Sequence, residues 1–190
     1  VTGAFPTLYN ASGPMDLEAS KAWVIAHAEA VQSTLAQCGA VVFRGFGLAS
    51  DADFDRFIQA FSWPNFTYAE SLSNAVRRNR TPRVFTANEA PPDVQIYLHH
   101  EMAQTPVYPS RLFFFCEQPA NGGGATPICR SDWLLERLHK VVPNFVDDCA
   151  NKGVRYSQTM PAQDDLASGQ GRSWRSTLSA DAKAAAETKL

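Results

Sequence analysis

In MDLEASKAWVIAHAEAVQSTLAQCG, apolar residues recur at Val24, Ala28, Val31 and Leu35, three or four positions apart. That spacing predicts an amphipathic helix, with Asp16 as its N-cap and Gly39 as its C-terminal stop. The next run, AVVFRGF, is β-branched and aromatic and reads as a buried strand ending at Gly45, with Arg44 as its one charge. The helical period returns in SDADFDRFIQAF. There Ser50 or Asp51 caps a stripe of Phe54, Phe57, Ile58 and Phe61, all expected in the core.

The texture then changes. NFTYAESLSNAVRRNRTPRVFTANEAPPD is polar, contains prolines and keeps no period, which predicts a long loop with one short strand at RVFTA. Long loops in compact domains often act as lids. This one carries Arg77, Arg78, Arg80 and Arg83, which face either an acidic substrate or plain solvent. Beyond it VQIYLHHEM favours a strand, and YPSRLFFFCEQPANGGGATPICRSDWLLERL reads as a strand, a glycine turn, a strand containing Thr126 and a helix from near Ser131. The final DAKAAAETKL is helical in composition. No internal repeat or low-complexity segment interrupts this order.

Composition narrows the functional classes. The 190 residues are 45% hydrophobic and 19% charged, enough for one well-buried core, so a single domain over 1–190 is expected. A net charge of -2 leaves no basic footprint for nucleic acid, and no apolar run approaches the roughly 20 residues that span a bilayer. The expected partner is therefore a small molecule. VTGAFPTLYN lacks the basic and apolar regions of a secretory signal, and the expected location is the cytoplasm. Cys38, Cys116, Cys129 and Cys149 are widely spaced without a C-x-x-C pair, which predicts reduced thiols mostly in the core.

The candidate chemistry lies in QIYLHHEMAQTP, which holds two of the four histidines. On a strand, side chains alternate, so Gln95, Tyr97, His99 and Glu101 would share one face. His100 would join Ile96, Leu98 and Met102 on the other, as a core or support residue. His99 and Glu101 would then have Cα atoms roughly 6.6 Å apart and project the same way, so that imidazole and carboxylate converge on one ion. On a helix the same pair would diverge by about 200°. An imidazole with a carboxylate suits non-heme Fe(II). The triplet also occurs on ordinary half-exposed strands, so these three letters by themselves leave both readings open.

Taken with GAVVFRGF, IYLHHEM, YPSRLFFFCEQPANGGGATPICRS and GRSWRSTL in that order, the chain resembles the TauD/TfdA family of Fe(II)- and 2-oxoglutarate-dependent dioxygenases, in its SyrP-like branch with Glu in the iron motif. The resemblance implies a mainly β fold with flanking helices, a double-stranded β-helix or jelly-roll, here incomplete at its C-terminal end. It implies His99 and Glu101 as iron ligands and catalytic residues, with Thr126 contacting the 2-oxoglutarate carboxylate. Gln95, on the same face as His99, and Asn88, in the preceding loop, are the candidate substrate contacts. Fe(II) is the implied cofactor, with 2-oxoglutarate and molecular oxygen as co-substrates. The implied reaction hydroxylates an unactivated C–H of an amino-acid-like or other small carboxylate substrate, either free or held on a carrier protein. The family's distal histidine and the arginine for the far carboxylate fall in a C-terminal part that this sequence does not contain. A degenerate jelly-roll that binds without catalysis is the alternative expectation.

Overall fold

The computed structural model describes residues 4–67, 71–87, 94–165, 167–168 and 171–189. The chain forms two compact units, one of Val1–Phe66, Arg78–Ala87 and Arg111–Pro119, the other of Thr67–Arg77, Asn88–Ser110 and Ala120–Leu190.

In the first unit a strand β1 (Thr7–Asn10) pairs in parallel with β2 (Val41–Arg44), Thr7 opposite Val41 and Asn10 opposite Arg44. Parallel neighbours need a long crossover, and the helix α1 (Leu17–Cys38) is that connection. Its ends are those the sequence predicts: the Asp16 carboxylate accepts from the Ala19 amide, and Gly39 turns left-handed at φ 86°. Val24 and Val31 of α1 are buried with Phe46, Phe57 and Phe61, and Tyr9, Trp23 and Phe43 pack around them. Several aromatic edges meet faces, with Trp23 and Phe46 centroids 5.1 Å apart and Phe43 and Phe57 5.4 Å apart, while Tyr9 stacks on Phe43. The buried Ser20 hydroxyl of α1 donates to the Phe46 carbonyl, which satisfies both polar groups inside this core.

The helix α2 (Asp51–Gln59) is capped by the Ser50 hydroxyl, which accepts from the Asp53 amide. Phe54 and Phe57 lie on its buried face, as the stripe predicts, and Phe54 stacks on Phe115 at 5.3 Å. The polar side of α2 also holds the arginine-rich loop. Arg80 pairs with Asp51 at 2.8 Å and Arg83 with the buried Asp55 at 3.2 Å, beside an isolated antiparallel bridge between Asn79 and Phe85. These two arginines are thus structural clamps, and RVFTA contributes one bridge residue, Phe85, rather than a strand.

The second unit is helical and irregular: α3 (Ser131–Val141), α4 (Pro143–Lys152), α5 (Trp174–Leu178) and α6 (Lys183–Glu187). Pro143 starts α4 where its missing N–H costs nothing. Leu178, Ala180 and Ala186 are buried together, with Trp174 and Leu72 packed against them. GRSWRS is tied down by polar contacts. The Arg172 guanidinium donates to the Ser73 and Ser176 carbonyls, while Asp164 accepts from the Ser173 amide and the Ser176 hydroxyl, both at 2.7 Å. Those bonds, the Ser173 amide foremost, hold the Asp164 carboxyl below its ordinary range.

The expected jelly-roll is not the fold found. Among the described residues the only strands are β1 and β2, and helices supply most of the regular structure. VQIYLHHEM and the segments around YPSRLFFFCEQ and Thr126 are irregular. Strand propensity expresses fit to a pleated surface shared with neighbours, and backbone N–H and C=O groups need a ladder to pair with. Among the described residues neither strand pairs with these segments, and several of their apolar side chains remain in solvent, Tyr97 72% and Leu98 57% exposed. The cysteines also differ from expectation. All four are free, but Cys38 alone is buried while Cys116 and Cys129 are exposed.

Gly47 has φ 61°, and a Cβ there would collide with the Met15 carbonyl oxygen. Gly47→Ala should therefore lower unfolding stability by at least about 2 kcal/mol, read from urea denaturation. Burial pushes the Asp55 carboxyl up, but hydrogen bonds from Thr81, Gln59 and Arg83 and the charge of Arg83 outweigh it and leave the group below its ordinary value. The stabilisation is therefore complete above an ordinary carboxylate pKa of about 3.9 and lost as pH falls through the lower folded value. Urea midpoints measured from pH 6 down to pH 2 should fall less steeply for Asp55→Asn than for the unaltered chain.

Candidate metal centre

Residues 94–100 run without regular structure into a turn at 101–104, and this turn, not strand parity, sets the side chains. Met102 holds φ 58°, a left-handed conformation rare outside glycine, while its side chain is only 2% exposed. Burial of the thioether offsets the backbone cost. The turn is closed by Ala103 N–H donating to the His100 carbonyl at 3.2 Å and Thr105 N–H to the Met102 carbonyl at 3.0 Å. The buried Thr105 hydroxyl has both the Met102 and Val107 carbonyls within hydrogen-bond distance, at 3.0 and 2.7 Å.

On this turn His99 Nε2 lies 3.9 Å from a Glu101 carboxylate oxygen, with the two side chains 55% and 17% exposed. His99 Nδ1 is 2.7 Å from the Tyr97 carbonyl. A carbonyl only accepts, so Nδ1 carries the proton and donates, and in the neutral ring the lone pair is on Nε2, the nitrogen 3.9 Å from Glu101. Metal-bound imidazoles are commonly oriented through the opposite nitrogen in this manner. The pair therefore fits a divalent cation in donor type: one imidazole nitrogen with its tautomer set, one carboxylate. It supplies two donors. Among the described residues no group of three His, Cys, Asp or Glu is assembled.

The other expected site residues are placed less closely. Gln95 is exposed, and its side-chain oxygen accepts from the Tyr97 hydroxyl at 3.1 Å. Thr126 is exposed in the irregular segment after the glycine turn, where Gly123 and Gly124 hold φ 67° and 70°. Asn88 lies outside the described residues. His100, placed by parity on an apolar face, is exposed instead, its Nε2 in a 2.6 Å hydrogen bond with the Ser131 hydroxyl. Parity fails because no strand sets it. Nothing in the spacing of positions 100 and 131 signals this bond. Trp174, the first residue of α5, packs in the small apolar cluster around Leu178, with the Arg175 guanidinium 4.7 Å above its ring. An open cleft of about 530 Å³ in the same unit is lined by Asp164, Ser173, Arg175 and Asp181 and includes neither His99 nor Glu101.

An imidazole–carboxylate pair two residues apart, followed by a glycine turn and a helix, offers two donors of types that non-heme iron accepts. Residues 3–181 match the taurine catabolism dioxygenase TauD, TfdA family, and the chain belongs to it. It is 41% identical over 159 residues, 84% of its length, to a clavaminate synthase-like protein of Arabidopsis thaliana, of which the match covers 48%. It is 28% identical over 158 residues, 83% of its length, to the dapdiamide synthesis protein DdaC of Enterobacter agglomerans, of which the match covers 45%. The chain thus spans about half the length of these relatives. Among the described residues, no helix is long and apolar enough to cross a membrane.

Replacing Met102 by Ala removes the buried group that offsets the left-handed turn. A loss of about 2–5 kcal/mol in urea unfolding is expected. Limited proteolysis should show faster cleavage between residues 98 and 106.

Proposed function

We propose that this chain carries part of the active site of a non-heme Fe(II)- and 2-oxoglutarate-dependent dioxygenase that hydroxylates an unactivated C–H of an amino-acid-like or other small carboxylate substrate. The observation that carries the reading is His99 Nε2 at 3.9 Å from a Glu101 carboxylate oxygen, with Nδ1 on the Tyr97 carbonyl. His99 and Glu101 would hold the iron. When bound, Fe(II) with 2-oxoglutarate supplies the oxidising power that breaks a C–H bond with molecular oxygen.

The part played by the protein is positioning. Glu101, the less exposed of the two, would bring a negative charge that favours a cation, while the Tyr97 carbonyl orients the His99 ring through Nδ1. The Thr126 hydroxyl would donate to a carboxylate oxygen of 2-oxoglutarate, next to glycines that let the backbone turn tightly. Gln95 and Asn88 would contact the substrate. Family membership supports the reaction class, and a relative named for dapdiamide synthesis supports a small-molecule substrate, free or held on a carrier protein.

The natural full-length polypeptide carrying this sequence should consume oxygen and form succinate when given Fe(II) and 2-oxoglutarate. His99→Ala should reduce both by more than about 100-fold, beyond the loss expected from a residue that merely supports a ligand. Binding of 2-oxoglutarate without turnover, unchanged in His99→Ala, would replace this reading with that of a non-catalytic binding module.

A further inference from the structure

We propose that His100 and Ser131 form a positioning pair that holds the His99–Glu101 turn against the first turn of α3. The proposal rests on the reading of His99 and Glu101 as a metal pair and adds to it the residues that keep the two donors facing each other.

His100 is the residue between the donors, so both peptide planes that relate His99 to Glu101 meet at its Cα. Restricting its ring restricts the backbone angles on either side. The Nε2–Ser131 Oγ bond, 2.6 Å long, joins positions 31 apart in sequence and anchors this backbone to a helix. The contact from His99 to the Tyr97 carbonyl spans only two positions, so it orients the ring within its own segment and not relative to α3.

The anchor is itself held. Next to Ser131, the buried Arg130 donates through two guanidinium nitrogens to both carboxylate oxygens of Asp132, and its guanidinium lies 4.7 Å from the centre of the Trp133 ring. A bidentate pair of this kind fixes direction as well as distance. On the far side of the donors, buried Met102 and the Thr105 hydroxyl secure the turn. The donor segment thus has an apolar tether after Glu101 and a polar tether before it, and His100 supplies the polar one.

The test compares Ser131→Ala, Ser131→Thr and His100→Ala with the unaltered chain and with His99→Ala. Two readouts are used beside urea unfolding: hydrogen exchange of the Ala103 amide, which donates to the His100 carbonyl and is followed by NMR without metal, and Mn(II) affinity from the electron paramagnetic resonance of the free ion. In the unaltered chain this amide should be protected. Ser131→Ala and His100→Ala should speed its exchange and weaken Mn(II) binding, each about tenfold. Ser131→Thr, which keeps the hydroxyl, should restore both, an outcome that a loss of folding would not produce. An Ala103 exchange rate in Ser131→Ala equal to that of the unaltered chain overturns the positioning pair, whatever the metal does. Equal Mn(II) affinity in the unaltered chain and His99→Ala overturns the metal reading instead, and the exchange rate then decides the pair alone.

Discussion

A parallel pair of strands cannot be joined by a tight turn, and the first unit is organised around this constraint. The 22 residues of α1 carry the chain from β1 back to the start of β2 and place Val24 and Val31 over the pair. Once that face is covered, the aromatic residues that follow β2 have one place to go. Phe46, Phe57 and Phe61 complete the core, and α2 turns its acidic side to the arginine-rich loop. Asp51 and Asp55 on that side then take up Arg80 and Arg83, which turns charges that look like a substrate lid into attachments for a loop.

The second unit meets a different constraint. His99 and Glu101 are two positions apart, and without a strand to impose alternation their side chains converge only if a turn does the work. Met102 in the left-handed region costs backbone energy, and its nearly complete burial returns it. Family chemistry and local geometry meet here. His99 and Glu101 are brought within 3.9 Å of each other by a turn whose stability comes from apolar burial and carbonyl hydrogen bonds, without regular secondary structure.

Much of this was legible in the residues themselves. The ends of α1, the Ser50 cap of α2, the phenylalanine stripe, the glycine turn and the start of α3 at Ser131 all depend on contacts within a few positions, and the sequence states them directly. The convergence of His99 with Glu101 is of the same local kind, although parity gave the wrong mechanism for it. What parity and β propensity missed is non-local. A strand exists only with a partner, and neither VQIYLHHEM nor the phenylalanine run before the glycines has a named strand beside it among the described residues.

By itself, then, the sequence determined α1 with both its ends, α2 with its Ser50 cap and the start of α3, because capping and periodicity act over one or two turns of chain. Tertiary structure decided which arginines are clamps, that His100 meets Ser131 rather than a core, and which β-favouring segments become strands. Each of those depends on a partner 25 or more positions away, and the residue types of one segment do not specify where such a partner will stand.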